Sequence, residues 1–265
     1  MTTSVTPVAA ASVSTGRSGL LPGFGSLLRK ELMEWRRGWK AWVVLGVTTL
    51  VMVLTVINSW LISTFAGDIA EEPINLDALA NLGIGVSSHM YVVAAIFAVM
   101  SVLVAERESG TLAWTASKPV SRTAIWLAKW VAAVAMIFLL AALIPFAVTV
   151  VEAIVLYGPV EAMPVGAMVL GMAMAVIFYT TVVLATSTYV NSQAGVASIA
   201  VAVAFVPTII TGILPVGEFL PTSIIGWAMG LAAGQAVGII TPISWAVTTA
   251  ALSLLAIRRM ERLEL

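Results

Sequence analysis

The chain has 265 residues, 60% of them apolar and 10% charged, with no cysteine, one histidine, a formal net charge of zero and a mean hydropathy of +1.06. A soluble domain is ordinarily about 45–50% apolar and about 25% charged, so this chain carries too little charge to wet a globular surface, and a bilayer must be part of its solvent. The missing cysteines exclude disulfides, thiolate catalysis and Cys-ligated metals, and a lone histidine excludes most His-based metal centres.

Residues 1–25 are rich in Ala, Ser, Thr, Val and Gly, with Arg17 the one charge. They lack the basic start and apolar run of a secretory signal and read as a disordered cytoplasmic tail. In segment 26–40 and just beyond it, Leu28, Leu32, Trp35, Trp39 and Trp42 recur at steps of four, three, four and three. That spacing makes one apolar helical stripe, with Arg29, Lys30, Glu34, Arg36, Arg37 and Lys40 on the other faces. An amphipathic helix lying in the membrane surface fits this pattern, and so does a plain basic anchor for the first span.

From residue 41 to 257 the gaps between charges mark the crossings. Runs of 27 uncharged residues (41–67), 28 (78–105) and 22 (130–151) each hold one span. A run of 56 (162–217), broken by the polar stretch from Tyr189 to Gly195, holds two. The last run, 39 residues (219–257), holds one span preceded by a segment that enters without crossing. The six spans fall near 42–65, 84–105, 123–151, 165–188, 195–214 and 239–257, and 258–265 form a second cytoplasmic tail. All thirteen basic residues and six acids then lie on one side, and seven acids (Asp68, Glu71, Glu72, Asp77, Glu152, Glu161, Glu218) with no base lie on the other. By the positive-inside rule both termini are cytoplasmic.

Between spans two and three, within loop 106–122, Gly110 can bend the chain and Thr111 to Lys118 has room for two helical turns. Pro119 forbids the helix from continuing, and Ser121 can cap the helix of span three. A short helix held between two spans would turn a push from a cytoplasmic partner into a tilt of both; a solvated connector is the plainer alternative. The chain has no Gly-x-x-x-x-Gly-Lys-Ser/Thr loop and no glycine followed by lysine, so it does not bind ATP by that route. Every acid and base falls at a span end or in a loop, which argues against ion-coupled transport. Any transport energy must therefore come from a second protein.

Other residues carry weaker signals. His89, beside Ser87 and Ser88 near the outer end of span two, is the one candidate base for an intramembrane serine protease, and adjacent residues on a helix do not face each other. Met168 and Met172 offer two soft ligands but fill cores equally well. Pro145 and Pro207 should kink spans three and five. Thr55, Asn58 and Thr149 can line a pathway or bond to a neighbouring helix. Gly226, Gly230, Gly234 and Gly238 recur every four residues, which suits close packing of a short helix.

The run Glu106-Arg107-Glu108-Ser109-Gly110-Thr111-Leu112, then Ser117-Lys118-Pro119-Val120-Ser121-Arg122 and Lys129, resembles the signature loop of the ABC-2 type permeases, membrane subunits of ATP-binding-cassette exporters of the type V kind. The resemblance extends over most of the chain; it departs at Ala113-Trp114-Thr115-Ala116, where family members commonly carry aliphatic residues. It implies an all-α integral membrane protein of six transmembrane helices. It adds an in-plane connecting helix (Leu28, Leu32, Trp35, Trp39), a cytoplasmic coupling helix and an outer re-entrant segment over 217–236. A long kinked sixth helix is the alternative for that last segment. Glu106, Arg107, Glu108, Ser109, Gly110, Thr111, Leu112, Ala113 and Trp114 would contact the ATPase subunit, and Pro119, Val120, Ser121 and Arg122 would form the hinge into span three. The resemblance further implies that the chain is not an enzyme and holds no cofactor, with ATP and magnesium on the partner ATPase. The other expected partners are a second permease copy or a related permease and membrane lipid, with no nucleic acid, in the plasma membrane. The apolar lining suggests a hydrophobic or amphipathic cargo. A membrane anchor that recruits a partner without transporting is the main alternative.

Overall fold

The computed structural model describes residues 21–66 and 76–263, and among them helix is the one regular secondary structure. The fold class is all-α. Six helices are long and apolar enough to cross a membrane: Trp39–Leu61, Met90–Glu108, Arg122–Tyr157, Ala162–Tyr189, Gln193–Ile213 and Ile240–Glu261. The first 20 residues and the acids Asp68, Glu71 and Glu72 lie outside the described residues, as do the side chains of Asp77, Ser87, Ser88 and His89, and with them the protease reading.

Helix α1 (Phe24–Arg37) ends at Gly38, whose extended backbone turns the chain into α2 (Trp39–Leu61). Five residues of wider π geometry (Ile62–Ala66) follow it. Helix α3 (Leu76–Glu108) leads through a two-residue turn into the short α4 (Thr111–Ala116). The third span is a rod in two parts, α5 (Arg122–Ile137) and α6 (Ile144–Tyr157), joined by a π segment at Phe138–Leu143. After it come α7 (Ala162–Tyr189) and α8 (Gln193–Ile213), then 3-10 turns at Gly217–Phe219 and Pro221–Ser223, α9 (Ile224–Ala232) and α10 (Ile240–Glu261).

The π segment has a local cause. Pro145 has no N–H to give and its ring crowds the preceding turn, so the helix widens there and leaves a carbonyl short of a donor. The hydroxyl of Thr48 on α2 lies 2.6 Å from the carbonyl of Val44 and 3.3 Å from those of Leu45 and Leu140, one proton among three acceptors. Such side-chain substitution is how a proline is tolerated where water is absent. Pro207, by contrast, sits inside α8, which runs on through it. Glu152 lies inside α6, which continues to Tyr157, rather than in an outer loop.

Helix α7 is the axis of the fold, buried over most of its length and packed by α3, α8, α9 and α10. Trp245 of α10 donates to the carbonyl of Met174, and Trp130 of α5 to the hydroxyl of Thr181, both at 2.8 Å. Met172 is buried in this core. Thr55 and Thr149 bond within their own helices. Where α9 crosses α7, a Cβ on Gly171 would stand 2.4 Å from the Cβ of Ala228, so the two backbones meet as closely as the absent side chain allows. The glycines spaced by four do not form this contact: Gly226 faces open space, and Gly234 takes a left-handed turn (φ +68°) beyond the end of α9.

Candidate functional site

The end of α3 and the start of α5, which flank α4, are bonded to α1, α7 and α10. At the end of α3 the chain reverses through Gly110, whose φ of +72° an L side chain resists, although no atom lies within 4 Å of where its Cβ would be. Ser109 and Thr111 share a hydrogen bond of 2.9 Å, and the Thr111 hydroxyl donates to the Glu106 carbonyl at 3.2 Å, which closes the turn. Leu112 then buries completely, pinning α4 to the bundle. The Ser121 hydroxyl accepts from the Ala124 N–H at 3.0 Å and caps α5.

Three sets of polar contacts tie this turn to its neighbours. In the first, the ammonium of Lys129, whose side chain is 3% exposed, lies 2.8 Å from carboxylates of both Glu31 on α1 and Glu106 on α3. Lys30 adds a partly exposed ammonium 3.5 Å from Glu106 and 3.3 Å from Glu34. Partial burial works to lower the Lys30 pKa, but Glu106, Glu31 and Glu34 outweigh it and hold the group above its ordinary value. Carboxylate oxygens of Glu31, Glu34 and Glu106 lie within 4.8 Å of one another. Two of the chain's own lysines, Lys30 and Lys129, reach these oxygens.

In the second set, Arg107 donates to Asn191 Oδ1 at 2.5 Å and to the Ser187 carbonyl at 3.1 Å, closing the C-terminal end of α7. In the third, Arg122 donates to the carbonyls of Glu261 (3.1 Å) and Leu263 at the end of α10, while Thr123 donates to the Glu261 carboxylate at 3.0 Å. Helix C-termini present unbonded carbonyls and partial negative charge, and a guanidinium satisfies both. The two arginines that flank α4 therefore each clasp the end of a different span.

The residues singled out in the sequence divide into two groups. Glu106, Arg107 and Leu112 turn inward, whereas Glu108, Ser109, Gly110, Thr111 and Trp114 are exposed and Ala113 is half-buried. The Lys118 ammonium lies 3.5 Å above the Trp114 ring, holding that indole at the surface. Pro119 is exposed. Val120 packs against the chain before α1, with its Cγ1 2.3 Å from where a Cβ on Gly23 would lie.

The apolar stripe also divides. The face of α1 turned to the core is Leu27, Glu31 and Trp35, whereas Leu28 and Leu32 line a cleft beside it and Trp39 belongs to α2, beyond the Gly38 bend. Sequence reasoning missed the Lys129 cluster. Two signals for it exist: Glu31 falls midway along an apolar i, i+4 face, and Lys129 is the one charge between Arg122 and Glu152.

Six long apolar helices among the described residues, with basic residues gathered at one end, define a multi-pass membrane protein. The family model described as ABC-2 family transporter protein matches residues 26–259, and the chain belongs to that family. No curated protein matches it. The ABC-2 family is the transmembrane, non-catalytic component of its transporters.

Proposed function

We propose that this chain is the membrane half of an exporter driven by a separate ATP-binding-cassette subunit, which binds ATP and magnesium. Two copies, or one copy with a related permease, enclose the pathway, in the plasma membrane and with both termini cytoplasmic. The ATPase docks on the exposed side of the α4 turn, on Glu108, Ser109, Gly110, Thr111 and Trp114, with Lys118 beside them. The inward residues Glu106, Arg107 and Arg122 pass its movement into the bundle. The observation that carries this reading is the clasp itself: α4 is tied through Glu106 to α1 and α5, through Arg107 to α7 and through Arg122 to α10. A displacement of so short a helix cannot stay local, because four other helices bond to its flanks.

Cargo is hydrophobic or amphipathic, since the spans offer little besides apolar surface. The α9 segment, packed against α7 at the end of the bundle away from the basic residues, serves as a re-entrant cover for the outward exit. The test is purification of the tagged chain from its native host in mild detergent, with mass spectrometry of what stays bound. A stoichiometric ATPase with the wild type, lost in Glu108→Lys and Trp114→Ala variants that insert and melt normally, is expected. An ATPase retained in full by both variants would refute the docking face.

A further inference from the structure

A cleft of about 580 Å³ opens between α1 and the membrane helices α2 and α5, at the basic end of the bundle. Its walls are Leu28 and Leu32 from α1, Ala41 and Trp42 from the start of α2, and Met136 and Leu140 from α5 and the π segment. The lining is apolar, and the two charged residues that contribute to it, Arg29 and Arg36 on α1, are both exposed. The two arginines are seven residues apart, two helical turns and about 10 Å along one face. Among the described residues no carboxylate pairs with either, whereas the neighbouring Lys30 is held by three. Trp42, 66% exposed, stands at the mouth.

We infer that this cleft is a binding site for one anionic phospholipid from the leaflet on the basic side. An acyl chain would lie along Leu28, Leu32, Met136 and Leu140, and the phosphate would rest between Arg29 and Arg36. An apolar lining disfavours a polar ligand, and the two exposed cations of α1, without a carboxylate partner among the described residues, favour one that also carries an anionic head. A molecule with one anionic head and a long apolar tail answers both, and basic pockets between membrane helices on this side select such headgroups. The lipid would brace α1, the helix that carries Glu31, against α2 at the one place where Gly38 leaves the two only loosely joined. This assignment stands apart from the transport reading and would hold for a protein that moved no cargo.

The experiment is native mass spectrometry of the purified full chain in dodecyl maltoside, titrated separately with dioleoylphosphatidylglycerol and dioleoylphosphatidylcholine. One phosphatidylglycerol per chain is expected to bind well ahead of phosphatidylcholine. Each arginine near an anionic surface contributes roughly five-fold in affinity, so Arg29→Gln with Arg36→Gln should weaken phosphatidylglycerol about 25-fold and leave phosphatidylcholine unchanged. Met136→Trp, which fills the cleft, should weaken both lipids alike. Arg37→Gln, one residue along on the same helix but outside the cleft, should change neither. Equal loss in Arg37→Gln would mean diffuse surface charge and would overturn the site, as would equal affinity for the two lipids or an unaffected double variant. Phosphatidylglycerol binding that appears only after residues 1–20 are deleted, or only in monomers and never in dimers, would give the cleft to that segment or to a second copy. Either result would overturn the proposal.

Discussion

Replacing Lys129 with methionine keeps the length of the side chain and removes the buried charge that one buried carboxylate, Glu31, and one partly buried carboxylate, Glu106, share. Glu31 and Glu106 would then face each other at about the separation of their present oxygens, within 4.8 Å, with Lys30 as the remaining counter-charge at 3.8 and 3.5 Å. Removing one partner from a buried ion pair costs about 3–5 kcal/mol. Lys30 is 45% exposed and already serves Glu34, so it recovers only part of that loss, and a destabilisation of about 3 kcal/mol is expected. For a chain of this size that corresponds to a fall in Tm of roughly 6–12 °C. Thermal unfolding followed by intrinsic fluorescence in detergent measures it. Adding Glu31→Gln to the Lys129→Met background removes the orphaned acid and should recover more than half of the loss. A Lys129→Met variant that melts within about 2 °C of wild type, or a double variant that melts lower than the single, would show that the cluster is not held by its charges.

Gly171→Val should destabilise the α7·α9 contact by about 1–3 kcal/mol of overpacking, and Ala228→Gly in the same chain should return part of it; thermal unfolding of the three variants decides. Arg122→Gln should leave the bundle folded but free the last turn of α10, seen as faster amide exchange at residues 258–263 than in wild type. The raised pKa of Lys30 sets a sign for alkaline pH. Its contribution is fully present below the unfolded value of about 10.5 and is lost as pH rises through the higher folded value. The difference in Tm between wild type and Lys30→Gln should therefore be constant from pH 7 to 10 and shrink above that; a gap that widens with alkalinity would contradict the assignment.

The membrane fold was legible in the sequence because a bilayer imposes a crude, local demand, some twenty residues without charge, and charge gaps report it directly. The clasp was not legible in the same way, because its bonds join residues far apart in the chain: Lys129 meets Glu31 across 98 positions, and Arg122 meets Glu261 across 139. Counting charges as span boundaries placed Glu152 in a loop, whereas a charged residue can lie inside a helix, and it gave no hint that Lys129, within the third span, has partners on two other helices. The stripe on α1 misled for a related reason. Leucines at 28 and 32 fit the apolar period, yet the core accepts Leu27, Glu31 and Trp35, since Lys129 waits there to neutralise the acid. Pro145 marked the site of a disturbance correctly, but the donor near the freed carbonyl, Thr48, comes from another helix.

Helix α1 with the first span, and the two parts of the third span, make a linkage with two pairs of members. Helix α5 lies along α1, α6 lies along α2, and each rod is articulated, one at Gly38 and one at the π segment over Phe138–Leu143. A stiff rod as long as the 36 residues of Arg122–Tyr157 would carry any swing of its loop end to the opposite face of the membrane. Jointed rods divide that motion, so the pair α1 and α5 can pivot with the loop as a single arm while α2 and α6 keep their register above it.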